Sequence, residues 1–159
     1  MSSRNTPFST VRAAARRPSG FTLVELMVVV TILAVLIGMA VPRFVRAVEQ
    51  SRADIAAANL RAIWGAERLY WLENHAYTDQ LSQQTPQGLV ELGLLDPAVA
   101  SASGDYVYRI TAAGSDTFQA EATRTGSAFW AGTLTIDQTG TTGGSISAAG
   151  ETAITPGFQ

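Results

Sequence analysis

From Leu26 to Val41 the chain reads LMVVVTILAVLIGMAV, sixteen residues in which Thr31 is the only polar side chain. Counted from Phe21, the apolar stretch is 21 residues long and holds one charge, Glu25. As an α-helix it would span ~31 Å at ~1.5 Å per residue, which matches a bilayer core of ~30 Å. A helix that is apolar on every side needs either a large protein interior or lipid around it. A chain of 159 residues has one modest core and nowhere to enclose such a rod. A membrane segment is therefore expected. Arg4, Arg12, Arg16 and Arg17 precede the run, and Arg43, Arg46 and Arg52 follow it. That bias favours a cytoplasmic N-terminus, although charge counting alone leaves the orientation open.

A secretory signal peptide is the first competitor, with Gly38-Met39-Ala40 as its small-residue cleavage site. The apolar run is longer than the usual ~7–15 residues of such a signal. The clearer small residue, Gly20, sits on the side of the arginines. A cut after it would remove the basic leader and leave the apolar helix attached.

Beyond Val41 the sequence VRAVEQSRADIAAANLRAIWGAERLYWLEN lacks proline. Val45, Val48, Ile55, Ile63, Leu69, Tyr70 and Leu72, with the alanines between them, are expected to form one amphipathic face. Together Phe21 to Glu73 would make a helix of 53 residues, roughly 80 Å long. Pro42 lies inside it, lacks an N–H and crowds the carbonyl of Gly38, so a kink is expected there. Gly65 is a second soft point, costing about 1 kcal/mol relative to alanine.

Helical periodicity ends near Asn74, and a loop region follows from His75 to Asp105, carrying the short apolar piece GLVELGLL. Three stretches then alternate at period two. Tyr106, Tyr108 and Ile110 share a face in DYVYRIT, as do Phe118, Ala120 and Ala122 in TFQAEAT. In WAGTLTID the shared face is Trp130, Leu134 and Ile136. The connections AAGSD and TRTGSA carry turn chemistry, so an antiparallel meander with one covered face is expected. The amphipathic half of the long helix is its natural cover. Residues 138–157 are rich in Gly, Thr and Ser, where SIS and TAIT would each add a short edge strand or the tail would be loose. The fold class is α+β, and three parts are expected: a basic leader 1–20, a long helix 21–73 with its membrane half at 21–41, and a head 74–159.

Composition excludes much chemistry. The chain has no cysteine, and all eleven basic residues are arginine, so thiolate, zinc-thiolate, Schiff-base lysine and P-loop lysine sites are all ruled out. Beyond the leader, seven arginines face thirteen acids, which is no footprint for nucleic acid. His75 is the only histidine. Asp79 and Ser82 are near it in sequence, but there is no G-x-S-x-G, so a hydrolase triad is not expected. A lone histidine just past a helix end more often serves the dipole there. Asp105, Asp116 and Asp137 read as solvated turn acids rather than calcium ligands, because no EF-hand spacing exists. Trp64, Tyr70 and Trp71 read as core or interface packing. Ala34 and Gly38 form a small-xxx-small pair, a weak signal for close helix approach.

The stretch RRPSG-FTLVEL, the apolar residues after it and Pro42 closely resemble the class III signal of type IV pilins and type II secretion pseudopilins. LGLLDPAVASASGDYVYRI is also similar to the entry into the sheet of pseudopilin-like members. The resemblance implies that a prepilin peptidase cuts between Gly20 and Phe21 and methylates the Phe21 amine. It makes Glu25 the acid at the fifth mature position and Pro42 the family's helix-breaking proline. It further implies assembly with identical or related subunits, and extraction from the inner membrane by a cytoplasmic ATPase acting through a platform membrane protein. Many pilins carry a C-terminal cysteine pair, which this chain lacks. Some pseudopilins bind calcium in that region, but no matching ligand set is found at 137–159, so calcium is possible yet unsupported and no cofactor is expected.

A lone carboxylate in lipid costs about 2.5–3.5 kcal/mol at mid-depth and less near the edge. Cleavage would expose the Phe21 ammonium, with a pKa near ~8. Glu25 is expected to pair with that amine on a neighbouring subunit. The competing reading is a bond to its own amine four residues back. The alternative to a filament subunit is a membrane-tethered periplasmic binding domain that does not polymerise. A third possibility, a secreted enzyme released after Ala40, would begin at Val41.

Overall fold

The computed structural model describes residues 20–81, 88–101 and 104–156. The leader arginines and Ser82 lie outside these residues. The described chain has two α-helices, α1 (Leu23–Asn74) and α2 (Pro97–Ala100), and four strands: β1 (Tyr106–Ala113), β2 (Phe118–Arg124), β3 (Ala131–Asp137) and β4 (Thr142–Ser147). Two compact units divide at residues 40 and 41. α1 remains helical across Pro42.

In the first unit every described residue is exposed. Its 18-residue apolar window has a mean hydropathy of 2.7 with none of it buried by protein. Thr31, the lone polar residue of the run, donates its hydroxyl to the Met27 carbonyl at 2.7 Å. That back-bond satisfies the hydroxyl without water, as a lipid setting demands.

The second unit is a helix laid on a sheet. The four strands form one antiparallel meander in the order β1-β2-β3-β4, as the period-two pattern implies. Their inner face carries Tyr106, Phe118, Ala120, Ala122, Leu134, Ile136 and Ile146, all buried, against Ala53, Ala56, Leu60, Ile63 and Ala66 of α1. Leu89, Val90 and Leu95 add to the same core, so the GLVELGLL piece plugs it. Asp96 caps α2, accepting the Ala98 N–H at 2.8 Å, with Pro97 at the first helical position, where its missing N–H costs nothing. The expected loop at 75–105 thus contains this short helix.

The helix face differs from the expected one. Ile63 is fully buried and Tyr70 and Val48 are half-buried, but Val45, Ile55, Leu69 and Leu72 are all at least half exposed. The buried line is instead Glu49, Ala53, Ala56, Ala57, Leu60, Ile63, Ala66 and Glu67. Alanine carries no bulk to hold the sheet away, and the facing strand β2 also presents alanines, Ala120 and Ala122. Small residues on both sides leave no gap to fill with larger ones, which is how dense packing is kept.

The Gly/Ser/Thr-rich tail is ordered through residue 156 in the described structure. β4 contains the SIS triplet, and Ile154 bridges Ile146, each of the two isoleucines being buried. Arg46 donates to the Thr152 carbonyl at 3.0 Å and Gln50 to that of Thr155 at 2.8 Å, so the tail is held on α1. Gly144 has φ +85°, and a Cβ there would lie 2.1 Å from the Thr133 carbonyl oxygen. Replacing it should strain the β3–β4 pairing by about 1–3 kcal/mol. At Gly65, by contrast, a Cβ would meet nothing within 4 Å, and replacement should gain up to about 1 kcal/mol. Urea melts of the full chain in detergent should therefore show Gly144→Ala below, and Gly65→Ala above, the parent chain.

Candidate functional site

The helix entry carries the processing and assembly residues named from the sequence. Gly20 and Phe21 are exposed and lie just before α1. Thr22 is the N-cap of the helix and Glu25 its third residue. The Glu25 N–H donates to Thr22 Oγ1 at 3.2 Å, and Glu25 Oε2 accepts the Thr22 N–H at 3.1 Å and its hydroxyl at 3.2 Å. This is a reciprocal capping box, two helix-end donors satisfied by one threonine and one glutamate. The carboxylate therefore has a partner inside its own chain, the Thr22 cap three residues back. The signal T-x-x-E was present in FTLVEL and went unused. The negative charge also sits at the positive end of the helix dipole, worth about 0.3–1 kcal/mol.

The first unit, taken alone, presents an exposed Gly20-Phe21 step, a helix apolar enough to cross a membrane, and one carboxylate at its end. Pro42 belongs to the second unit, where it is exposed.

In the second unit sequence reasoning missed a buried ion pair. Arg124, at the end of β2, donates through Nε to Glu49 Oε1 at 2.6 Å and through its second terminal nitrogen to Oε2 at 3.2 Å. Both side chains are buried, at 1% and 2% exposure. Arg124 also donates to the Asp105 carbonyl at 2.7 Å and to the Thr125 carbonyl, and lies 5.4 Å from the Tyr106 ring centroid. Arg52 adds a contact of 3.3 Å to each of Glu49 and Asp105. The Glu49 carboxylate raises the Arg124 pKa above its ordinary value. Alternation placed Arg124 on the inner face with Ala122 and Ala120, a signal that a charge there must have a partner.

Glu67 is the second buried acid of α1. Its Oε2 accepts the Thr78 N–H at 3.0 Å, while Oε1 has no hydrogen-bond partner among the described residues. Burial, more than the nearby Asp79 charge, pushes its pKa up to about 7.

The remaining candidates stay apart. His75 ends α1 with φ 53° and donates its N–H to the Trp71 carbonyl at 2.8 Å, a left-handed cap of the helix end. The Trp71 indole donates to the Ser115 carbonyl at 2.7 Å and that of Trp64 to the Gln138 carbonyl at 3.2 Å. Both indoles thus hold strand turns against the helix. Asp137 accepts from the N–H groups of Thr139 and Thr141, and hydrogen bonds from Thr139 and Thr141 lower its pKa. Asp105 belongs to the arginine network, and Asp116 accepts from the Ser115 hydroxyl. Among the described residues no three His, Cys, Asp or Glu gather as metal ligands would.

Residues 15–41 match the family model described as the prokaryotic N-terminal methylation motif. The type II secretion system core protein G of Escherichia coli K12 is 33% identical over 100 residues, covering 62% of this chain and 68% of that protein. The chain belongs to the type IV pilin and type II secretion pseudopilin family. The core protein G of Pseudomonas aeruginosa is 40% identical over 77 residues, 48% of this chain and 51% of its own length. The type IV major pilin protein PilA of Myxococcus xanthus is 32% identical over 100 residues, 63% of this chain and 40% of its own length. The matched stretch thus spans about half or less of these last two relatives. Among the described residues one helix is long and apolar enough to cross a membrane, which in a pilin-family chain fits a membrane-anchored subunit.

Two outcomes follow from the buried acids. Glu49→Ala strips Arg124 of its fork and leaves a buried charge, so stability should fall by about 3–5 kcal/mol, read by urea denaturation of the full chain in detergent. Glu67 holds its proton more tightly folded than unfolded, because its pKa rises from 4.5 to about 7. A raised acid pKa makes the folded state bind more protons, so its contribution to stability is full below pH ~4.5 and falls as pH rises through ~7. Thermal melts of the parent chain should lose stability between these values, and Glu67→Gln should flatten that slope.

Proposed function

We propose that this chain is a structural subunit of a type IV pilus or pseudopilus-like filament. The observation that carries the reading is the methylation-motif segment RRPSG-FTLVEL opening a helix that is apolar on all sides. Membership in a family of structural subunits points to assembly work and not to catalysis. In this reading residues 1–20 are a leader, 21–73 the anchoring and assembly helix, and 74–159 the head. A prepilin peptidase cuts between Gly20 and Phe21 and methylates the Phe21 amine. The helix holds the subunit in the inner membrane through 21–41 until an ATPase, acting through a platform membrane protein, extracts it into a periplasmic or surface filament of like subunits.

Lipid is as apolar as leucine, so replacing lipid contacts with helix contacts supplies little hydrophobic drive. Direction must come from elsewhere, and Glu25 supplies it by pairing with the Phe21 ammonium of a neighbour. Pro42 relaxes the helix backbone where the polymer's packing needs it.

Intact-mass measurement in a host with prepilin peptidase should find a chain starting at N-methylated Phe21. A chain that retains its leader would overturn the proposal. The role of the Glu25 charge has its own test. Glu25→Gln keeps the capping geometry, since glutamine also serves that box, but removes the charge. It should be processed as the parent is and yet fail to enter filaments under electron microscopy. Filaments at parental abundance would assign Glu25 to capping alone.

A further inference from the structure

Phe129 is 81% exposed, the most of any large apolar residue described, and it is held that way. Ser127 Oγ accepts the N–H of both Phe129 and Trp130, at 3.2 and 2.9 Å. This turn buries Trp130 and leaves the neighbouring phenylalanine outside. Arg124, at the root of the same β2–β3 connection, is locked to Glu49 on the helix. The connection is therefore not free to fold Phe129 inwards. Leaving such a ring in water forgoes the hydrophobic gain of burying it.

The ring borders a groove of about 300 Å³ that it shares with Phe44, Val45, Val48 and Trp130. Phe44 is 70% and Val45 50% exposed. Phe44 follows Val41, the last residue of the apolar run, by three positions, a rise of about 4.5 Å in a helix. Half the difference between the full bilayer and its hydrocarbon core is ~5–7 Å. Phe44 and Val45 therefore fall at headgroup depth when the run spans the core. Aromatic rings are enriched at that level. Charge agrees. Arg52 and Arg124, which line the groove, are held on Glu49 and Asp105, and Arg46 is held on Glu151. Arg43, exposed and next to Phe44 in the chain, has no ion-pair partner among the described residues and falls at the depth of a lipid phosphate.

We infer that the Phe44–Phe129 groove is a lipid-docking surface, which seats the head on the membrane interface with Phe129 among the headgroups and Arg43 on their phosphates. This rests on the anchored state proposed above. It gives the head a defined resting position from which a subunit is drawn into assembly.

The absence of cysteine makes the test direct. Phe129→Cys in the full chain, labelled with a nitroxide, is placed in vesicles of phosphatidylethanolamine and phosphatidylglycerol at high dilution. Ser115→Cys, on the exposed β1–β2 turn, is the reference. The label at 129 should be relaxed more by oxygen than by a water-soluble nickel chelate, and the label at 115 the reverse. If the vesicles float with protein but both labels behave as water-exposed, lipid docking is overturned while the anchor stands. If the protein does not float with them, anchor and docking fall together. If protection at 129 appears only when the vesicles are crowded with protein, the occupant is a second copy, and the lipid assignment is wrong.

Discussion

One helix serves two solvents, and that constraint organises everything else in the chain. Up to Ala40 its side chains have no protein around them, and from Val41 onward the chain belongs to a unit with its own core. The first stretch must silence each polar group locally. Thr31 does so with the Met27 carbonyl, and Glu25 with Thr22. The second stretch meets a sheet and can use long-range partners, so its buried acids Glu49 and Glu67 reach Arg124 and the Thr78 amide instead. Polar groups find partners along the helix in one regime and across the fold in the other, with Glu67 Oε1 left over among the described residues.

The same constraint explains the alanine face. The core of the second unit is built onto the second half of the helix alone. Alanines at 53, 56, 57 and 66 lie on the helix face buried under the sheet, and the Arg124 fork fixes the sheet at one end. At the other, the Trp71 indole holds the β1–β2 turn. A hydrophobic contact alone is non-directional. The fork and the indole bonds are directional, and they supply the register that alanine packing cannot.

Much of this was legible in the sequence. The apolar run, the three alternating strands and the meander they form are local patterns with periods of their own, and RRPSG-FTLVEL is contiguous. What escaped was of two kinds. Ile55, Leu69 and Leu72 look like core because they are large, yet they lie off the line Ala53, Ala56, Leu60, Ile63 and Ala66 that meets the sheet, and which line that is depends on where the strands dock. The Glu49–Arg124 pair joins residues 75 apart, and no window along the chain contains both. At the helix entry, by contrast, Thr22 and Glu25 are three residues apart and their box was readable.

That box bears on how the Glu25 carboxylate could serve both a single subunit and, in the proposed filament, a polymer. Both bonds from Thr22 fall on Oε2, and Oε1 takes no part in them. A carboxylate offers about four acceptor positions, so an incoming ammonium can be bound through Oε1 while the cap persists. Pairing in a filament then need not begin by breaking the helix end, which would cost about 0.5–2 kcal/mol per subunit. The cap also holds the glutamate in one place, so less side-chain freedom remains to be lost when a partner arrives. An alanine at this position would lose cap and charge together, whereas a glutamine would lose only the charge. The two substitutions thus separate a subunit whose helix entry is unsettled from one that is sound but has nothing to offer its neighbour.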